Sequence, residues 1–408
     1  MVPRKLLVQV TQCNLRELKR NFDEREDHEE YSIRKRTLEA DLQTLRHIVT
    51  ENPIDESLNE LLSLIFIVYQ ELSTVGPWNP NNSYAKDLNE NFMNINNISL
   101  DKILCDNSPF NTNDVFEYCM EYLHSKLTAE KFKKYPSFIK VYFAIICNLH
   151  EYNVKPNPMR TMPAALVLLD DYIDENKVLG LTCCKYILDC LQFEDFNNSN
   201  YYEAVYESLK KRITEKNIDA TKLVFECLLK LIKILPDDNQ IAYKVHQKLN
   251  EILSLTTDEI LMETNVFRKT AILKFLIEII ELHKYDCMRV KKKFMSLIIE
   301  NLMLSVDNDF KLLLLDAVDV WFKYCWCVWR YKDDKKLINA LLKTVYTSLS
   351  AESDKEIHKK IIERIQRLII CFIKLSSARD QEEIVRNLNK ISTECILMKE
   401  AIEEMNIS

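Results

Sequence analysis

The 408-residue chain contains only two glycines, Gly76 and Gly180. Hairpins, bulges and the tight connections of α/β folds rely on glycine, which enters positive-φ backbone without a steric penalty. A chain this poor in glycine is expected to be all-α. The same scarcity removes whole classes of enzyme. A P-loop needs two glycines five residues apart, and a dinucleotide-binding turn needs three within six. A kinase phosphate loop and a G-x-S-x-G elbow fail on the same count. No catalytic constellation stands out, so the chain is not expected to be an enzyme.

Net charge is −7, which argues against a protein built to hold nucleic acid. The short basic runs, Arg289 to Lys293 and Lys210 to Arg212, read as solvated helix ends. Thirteen cysteines are scattered through apolar positions and read as reduced core residues of a cytosolic compartment. "CCKYILDC" and "CWC" lack zinc spacing, and the seven histidines form no visible cluster. No metal and no cofactor are therefore expected. The opening "MVPRKLLVQV" has too short an apolar core for secretion. Apolar runs such as Leu64 to Tyr69 fall far short of the ~20 residues that span a bilayer. The expectation is a soluble cytoplasmic protein, with the nucleus as a second address.

Three regions follow from composition. Residues 1–78 read as an N-terminal helical region around the charged stretch Arg16 to Arg36. Residues 79–113 hold eleven asparagines with Pro80 and Pro109, too polar a mix to fill a core, and read as a loop or linker. Residues 114–408 read as helix after helix with short breaks. "TKLVFECLLKLIKIL" puts Val224, Cys227, Leu228, Leu231 and Leu235 on one face, and Ile272, Phe275, Leu276 and Ile279 do the same further on.

A spaced pair recurs in this last region. Asp174 precedes Lys177 by three residues, as Asp219 does Lys222, Asn265 does Arg268 and Asn308 does Lys311. The intervals are 45, 46 and 43 residues, and Asp354 keeps the phase with Ile357 in the basic position. Asp or Asn at a helix start accepts the free N–H groups. A cation three residues later opposes the helix dipole, and makes sense if it reaches an acid in the adjoining repeat. A two-helix period near 45 residues lies in the HEAT and armadillo range. The expected architecture is an α-solenoid of HEAT-like repeats, with these eight residues as its ladder.

In "MRTMPAALVLLDDYIDENKVLG", Gly180 inside a helix costs about 1 kcal/mol relative to alanine, and is expected to let a neighbouring helix come close. Asp170 and Asp171 are either turn hydrogen-bonders or surface acids for a partner. "VWFKYCWCVWR" holds Trp321, Trp326 and Trp329. On one continuous helix Trp321, Cys325 and Val328 share a stripe, and Phe322, Trp326 and Trp329 another. Either the helix is sandwiched between repeats, or one tryptophan stands proud beside Arg330 as a partner anchor.

"MPAALVLLDDYIDENKVLG", with Pro163, Leu169, Asp170, Asp171, Tyr172, Lys177 and Gly180, resembles the TELO-two-interacting protein two family, the smallest subunit of the TTT co-chaperone complex. The resemblance continues through "VFRKTAILKFLIEII", with Arg268, and "LLLLDAVDVWFKYCW", with Trp321, and covers roughly Lys155 to Ser350. It implies a non-catalytic adaptor that associates with a larger helical-repeat subunit and, through it, with a third. The assembly would support phosphatidylinositol-3-kinase-related kinases together with the heat-shock chaperone machinery. Asp170, Asp171, Tyr172, Trp321, Trp326, Trp329 and Arg330 are the candidate partner-binding residues. A transport or trafficking solenoid that carries cargo proteins stays open as the alternative, because fold does not fix function.

Overall fold

The computed structural model describes residues 4–24, 26–52, 58–79, 82–196, 201–235, 239–352 and 354–405, with only the backbone described for 239–242. These residues form α-helices joined by turns and short 3-10 segments, with no strand among them. The chain divides into two compact units.

Unit 1 comprises Met1–Leu209 and Glu226–Ile234. Its helices are α1 (Arg4–Gln12), α2 (Glu29–Glu51), α3 (Asn59–Ser73), α4 (Ser83–Asn96), α5 (Thr112–Lys126), α6 (Pro136–Cys147), α7 (Pro158–Leu169), α8 (Asp174–Asp189) and α9 (Tyr201–Lys210), with the second half of α10 (Ile218–Ile234). Unit 2 comprises Lys210–Phe225 and Leu235–Ser408. It holds the first half of α10, then α11 (Asn239–Met262), α12 (Val266–His283), α13 (Lys291–Leu304), α14 (Asn308–Cys325), α15 (Tyr331–Leu349), α16 (Lys355–Leu375), α17 (Ala378–Glu394) and α18 (Ile396–Glu403).

The packing order is that of a helical repeat. In unit 1, α1 packs on α3, α3 on α5, α5 on α7, and α6 on α8. In unit 2, α11 packs on α13, α12 on α14, α13 on α15, and α14 on α16. In these runs a helix meets the next but one, so alternate helices form two layers with the core between them. The expected all-α solenoid is the fold this chain adopts. Core positions follow the helical period: Val224, Cys227, Leu228, Leu231, Ile272, Phe275, Leu276 and Ile279 are all buried.

Local signals start the helices. The side chain of Asn111 caps α5, Asn157 caps α7 and Ser377 caps α17. Pro136 and Pro158 occupy first helical positions, where the missing N–H is no loss. All thirteen cysteines are unpaired, and burial pushes the thiols of Cys13 and Cys184 up to about 12.

Three expectations are corrected. The asparagine-rich segment is not one long loop, because Ser83–Asn96 forms α4. Ala85, Leu88 and Phe92 recur at helical spacing and are buried, as are Leu100, Ile103 and Leu104. Asn94 is exposed, Asn89 accepts from the Leu100 amide, and Asn97 closes α4 in the left-handed conformation.

Of the expected capping residues Asn265 caps its helix, and Asp174, Asp219 and Asn308 do not. Asn265 caps α12, accepting from the amides of Phe267 and Arg268. Asn217 caps α10, accepting from Asp219 and Ala220, and Asp307 caps α14, accepting from Phe310. Asp174, Asp219 and Asn308 lie inside their first turns. The helix dipole favours an acid there as well, so sequence alone does not separate cap from first turn.

The third correction concerns the tryptophan segment, which is not one helix. α14 ends at Cys325, Trp326–Val328 is a 3-10 turn, and α15 begins at Tyr331. The two stripes expected along this segment therefore do not exist beyond Cys325.

Candidate functional site

In unit 1 the corner between α7 and α8 is held from below by one lysine. The Asp171 carboxylate accepts from the Tyr172 amide at 2.8 Å and from the Asn176 side chain at 2.6 Å. Lys133 Nζ sits 3.0 Å from the same carboxylate and 2.6 Å from Asp23. It also lies 3.8 Å from the centre of the Tyr172 ring, whose hydroxyl donates to Asp23. Burial alone would lower the Lys133 pKa, but its bonds to Asp23 and Asp171 outweigh burial and hold the ammonium charged. Asp171 is buried and serves the turn, so it offers no free acid to a partner. Asp170 is exposed, and Tyr172 is 73% exposed.

Gly180 faces this corner from α8. A Cβ there would come within 2.6 Å of the Ala165 carbonyl oxygen and 2.6 Å of the Leu169 nitrogen. The glycine is what lets α8 rest on the backbone of α7.

Beside the corner lies an open groove of about 880 Å³. Phe22, Tyr31, Trp78, Ile139, Ile173 and Leu179 give it apolar walls, and Asp23, Glu24, Glu26 and Glu175 give it an acidic rim. Its N-terminal wall is anchored by a buried pair. Glu71 accepts from the Leu15 amide at 3.0 Å and pairs with Arg34 at 3.1 Å. Burial raises the Glu71 pKa, against the pull of Arg34. Sequence reading missed Asp23, Lys133 and Glu71, because the partners of each bond lie 37 to 149 residues apart and carry no local pattern.

In unit 2 the three tryptophans separate. Trp321 is fully buried and stacks on Phe294, with ring centres 5.7 Å apart. Trp329 is buried, stacks on Phe372 at 4.4 Å, and donates from Nε1 to Ser376 Oγ at 3.1 Å. Trp326 is 55% exposed. The turn carrying it is braced: Lys291 Nζ bonds the Val328 carbonyl and Asp334, both at 2.7 Å, and the Arg330 amide donates to Asp334 at 2.9 Å. Arg330 spends its guanidinium on the carbonyls of Cys327 and Trp329. It stiffens the turn that holds out Trp326, while Trp321 and Trp329 belong to the core.

The ladder residues also part company. Lys177 pairs with Asp174 in its own helix at 2.9 Å. Arg268 is buried; it pairs with Glu259 of α11 and with Glu263 just past the end of that helix, and donates to the carbonyls of Ile213 and Glu215. Its cross-repeat partners are thus two backbone oxygens at the end of a 3-10 turn and the Thr221 hydroxyl. Lys311 is buried, and desolvation lowers its pKa. Lys222 is exposed.

No known protein-family profile matches the chain. Two curated proteins are similar to parts of it. Human TELO2-interacting protein 2 is 33% identical over 76 residues, 19% of this chain and 15% of that protein. The mouse protein of the same name is 24% identical over 146 residues, 34% of this chain and 28% of that one. The chain therefore spans less than a third of either relative. Among solved structures, importin beta aligns over 91% of this chain and 49% of its own, at 12% identity and a TM-score of 0.43. Yeast importin-beta covers 98% of this chain and 50% of its own, at 12% identity and 0.41. An engineered protein covers 92% and 90%, at 13% identity and 0.41. Likeness at that level assigns nothing to this chain. Among the described residues, no helix is long and apolar enough to cross a membrane.

Proposed function

We propose that this chain is a non-catalytic adaptor, a helical-repeat subunit of a TTT-like co-chaperone assembly. On this reading its direct partner is a larger helical-repeat subunit, through which it meets the third. The assembly supports maturation and stability of phosphatidylinositol-3-kinase-related kinases, with heat-shock chaperones engaged indirectly, in the cytoplasm and nucleus. The observation that carries the proposal is the similarity of part of the chain to TELO2-interacting protein 2, whose name records the contact. The layered helices support it by offering long continuous faces in each unit.

We assign Trp326 as the anchor for the larger subunit. A half-exposed tryptophan on a braced turn loses little entropy when it docks, and tryptophan is enriched at interface hot spots. In unit 1 the acid-rimmed groove beside Tyr172 supplies a second contact, suited to a segment with apolar and basic side chains.

Affinity purification of the full-length chain from native cells, read by mass spectrometry, tests the reading. Recovery of the two other subunits in stable stoichiometry is the expected result. Recovery of a small GTPase or coat proteins instead would favour a trafficking adaptor and overturn the proposal.

A further inference from the structure

The geometry points to a divalent-cation site of zinc-class chemistry in unit 2, formed by His246, His283 and Asp286. Each offers one ligand atom, and the three atoms lie within 4.8 Å of one another.

The sequence hides this grouping, because the histidines sit on two helices and the acid on a turn. α11 presents His246 and, one helical turn later, Asn250. His283 is the last residue of α12 and only 1% exposed. Lys284 follows with φ of 54°, a left-handed conformation uncommon outside glycine. That reversal brings Asp286, in the 3-10 turn Lys284–Val290, back over the helix end. Its Oδ2 then lies 3.2 Å from His246 Nδ1, and the two imidazole centres are 5.6 Å apart.

The state of His283 is the second observation. Its Nε2 lies 2.8 Å from Asn250 Oδ1, so the Nε2–H donates to the amide oxygen and the lone pair sits on Nδ1. That Nδ1 is buried without a hydrogen-bond partner. Buried polar atoms are paired in native proteins as a rule, and an orphan is destabilising. A cation satisfies it. The arrangement matches that of metal-binding histidines, whose other ring nitrogen is fixed by an outer hydrogen bond.

Two imidazoles and a carboxylate suit zinc and its neighbours better than magnesium or calcium, which prefer oxygen throughout. Ligand atoms around tetrahedral zinc are ~3.3 Å apart, given bonds of ~2.0–2.1 Å. The half-exposed His246 and the turn-borne Asp286 can close that gap by side-chain rotation. Three protein ligands leave a fourth position for water or a partner's side chain. Arg289 stands 4.0 Å from Asp286, but it is 71% exposed and water screens its competition.

The test uses the full-length chain, stripped with chelator and titrated with Zn²⁺ by calorimetry and with Co²⁺ by visible absorption. One equivalent should bind, with a tetrahedral Co²⁺ spectrum. Asn250→Ala should weaken binding 10–100-fold, the usual effect of losing an outer hydrogen bond. His246→Ala and Asp286→Asn should weaken it further and leave the metal-free melting temperature unchanged. Those two variants carry the test because His283 is in the core. Cys327→Ser with Cys371→Ser, which removes the exposed thiols, should change nothing. Failure to bind one equivalent, or binding unaffected by both His246→Ala and Asp286→Asn, would overturn the site.

Discussion

Arg268 donates from Nε to the carbonyl oxygen of Glu215, 2.8 Å away and 53 residues earlier in the chain. One buried guanidinium therefore ties the start of α12 to the 3-10 turn before α10, while its Nη1 holds Glu259 of α11 and Glu263 just past the end of that helix. Removing it takes the buried cation from two carboxylates, leaving them the exposed Lys216, and takes a donor from the carbonyls of Ile213 and Glu215. Arg268→Ala should destabilise unit 2 by about 3–5 kcal/mol, the range for breaking a buried ion pair. Arg268→Lys should recover only part of the loss, because an ammonium lacks the planar fork. Chemical denaturation of the variants checks this, and a change below about 1 kcal/mol would contradict it.

The same cluster makes stability depend on acid. Burial alone would raise the Glu263 carboxyl, but the Asn265 amide, Arg268 and the Thr264 amide outweigh burial and hold it at about 2, against an ordinary value of 4.5. A depressed carboxyl contributes stability above its unfolded pKa, and loses it as pH falls through the folded one. The contribution should therefore disappear between about 4.5 and 2. Denaturation midpoints should fall more steeply across that window in the wild type than in Glu263→Gln. Parallel curves would show that the pair contributes nothing.

Gly180 permits the contact between α7 and α8, so even alanine should be unwelcome there. Gly180→Ala should lower stability by about 1–3 kcal/mol, as overpacking does, and Gly180→Leu by more. The better helix propensity of alanine, about 1 kcal/mol, offsets part of the loss. An unchanged melting curve for both would contradict the close approach.

Asp171 serves the turn, one of the two roles its sequence leaves open. With the carboxylate gone, Lys133 keeps Asp23 but loses its second acid, and Asn176 loses an acceptor. Asp171→Ala should cost about 3 kcal/mol, and should do so without any partner present. A variant as stable as the wild type, measured by thermal melting, would return Asp171 to the surface role.

Much of the fold was legible because helical repeats are local. Glycine scarcity excluded sheet, and the apolar period placed the faces of α10 and α12. The 45-residue phase marked helix starts to within a few residues. What could not be read was tertiary. α4 was obscured because its polar residues are asparagines, whose composition suggests loop while Leu88 and Phe92 still reach the core. Trp326 could not be told from Trp321 and Trp329 without knowing that α14 stops at Cys325. His246 and His283 meet because α11 packs on α12, and Asp286 joins them because Lys284 reverses the chain.

The adaptor reading is tested most directly by co-elution of the purified full-length chain with the larger helical-repeat subunit, for the wild type and Trp326→Ala in parallel with melting curves. The account expects a stable complex for the wild type. Trp326→Ala should keep the same melting temperature and bind at least 30-fold more weakly, the equivalent of a hot spot worth about 2 kcal/mol. Trp321→Ala, by contrast, should lose about 3–5 kcal/mol of stability as a core cavity. A wild-type chain that elutes alone would contradict the adaptor assignment, and a Trp326→Ala chain that binds like the wild type would contradict the anchor.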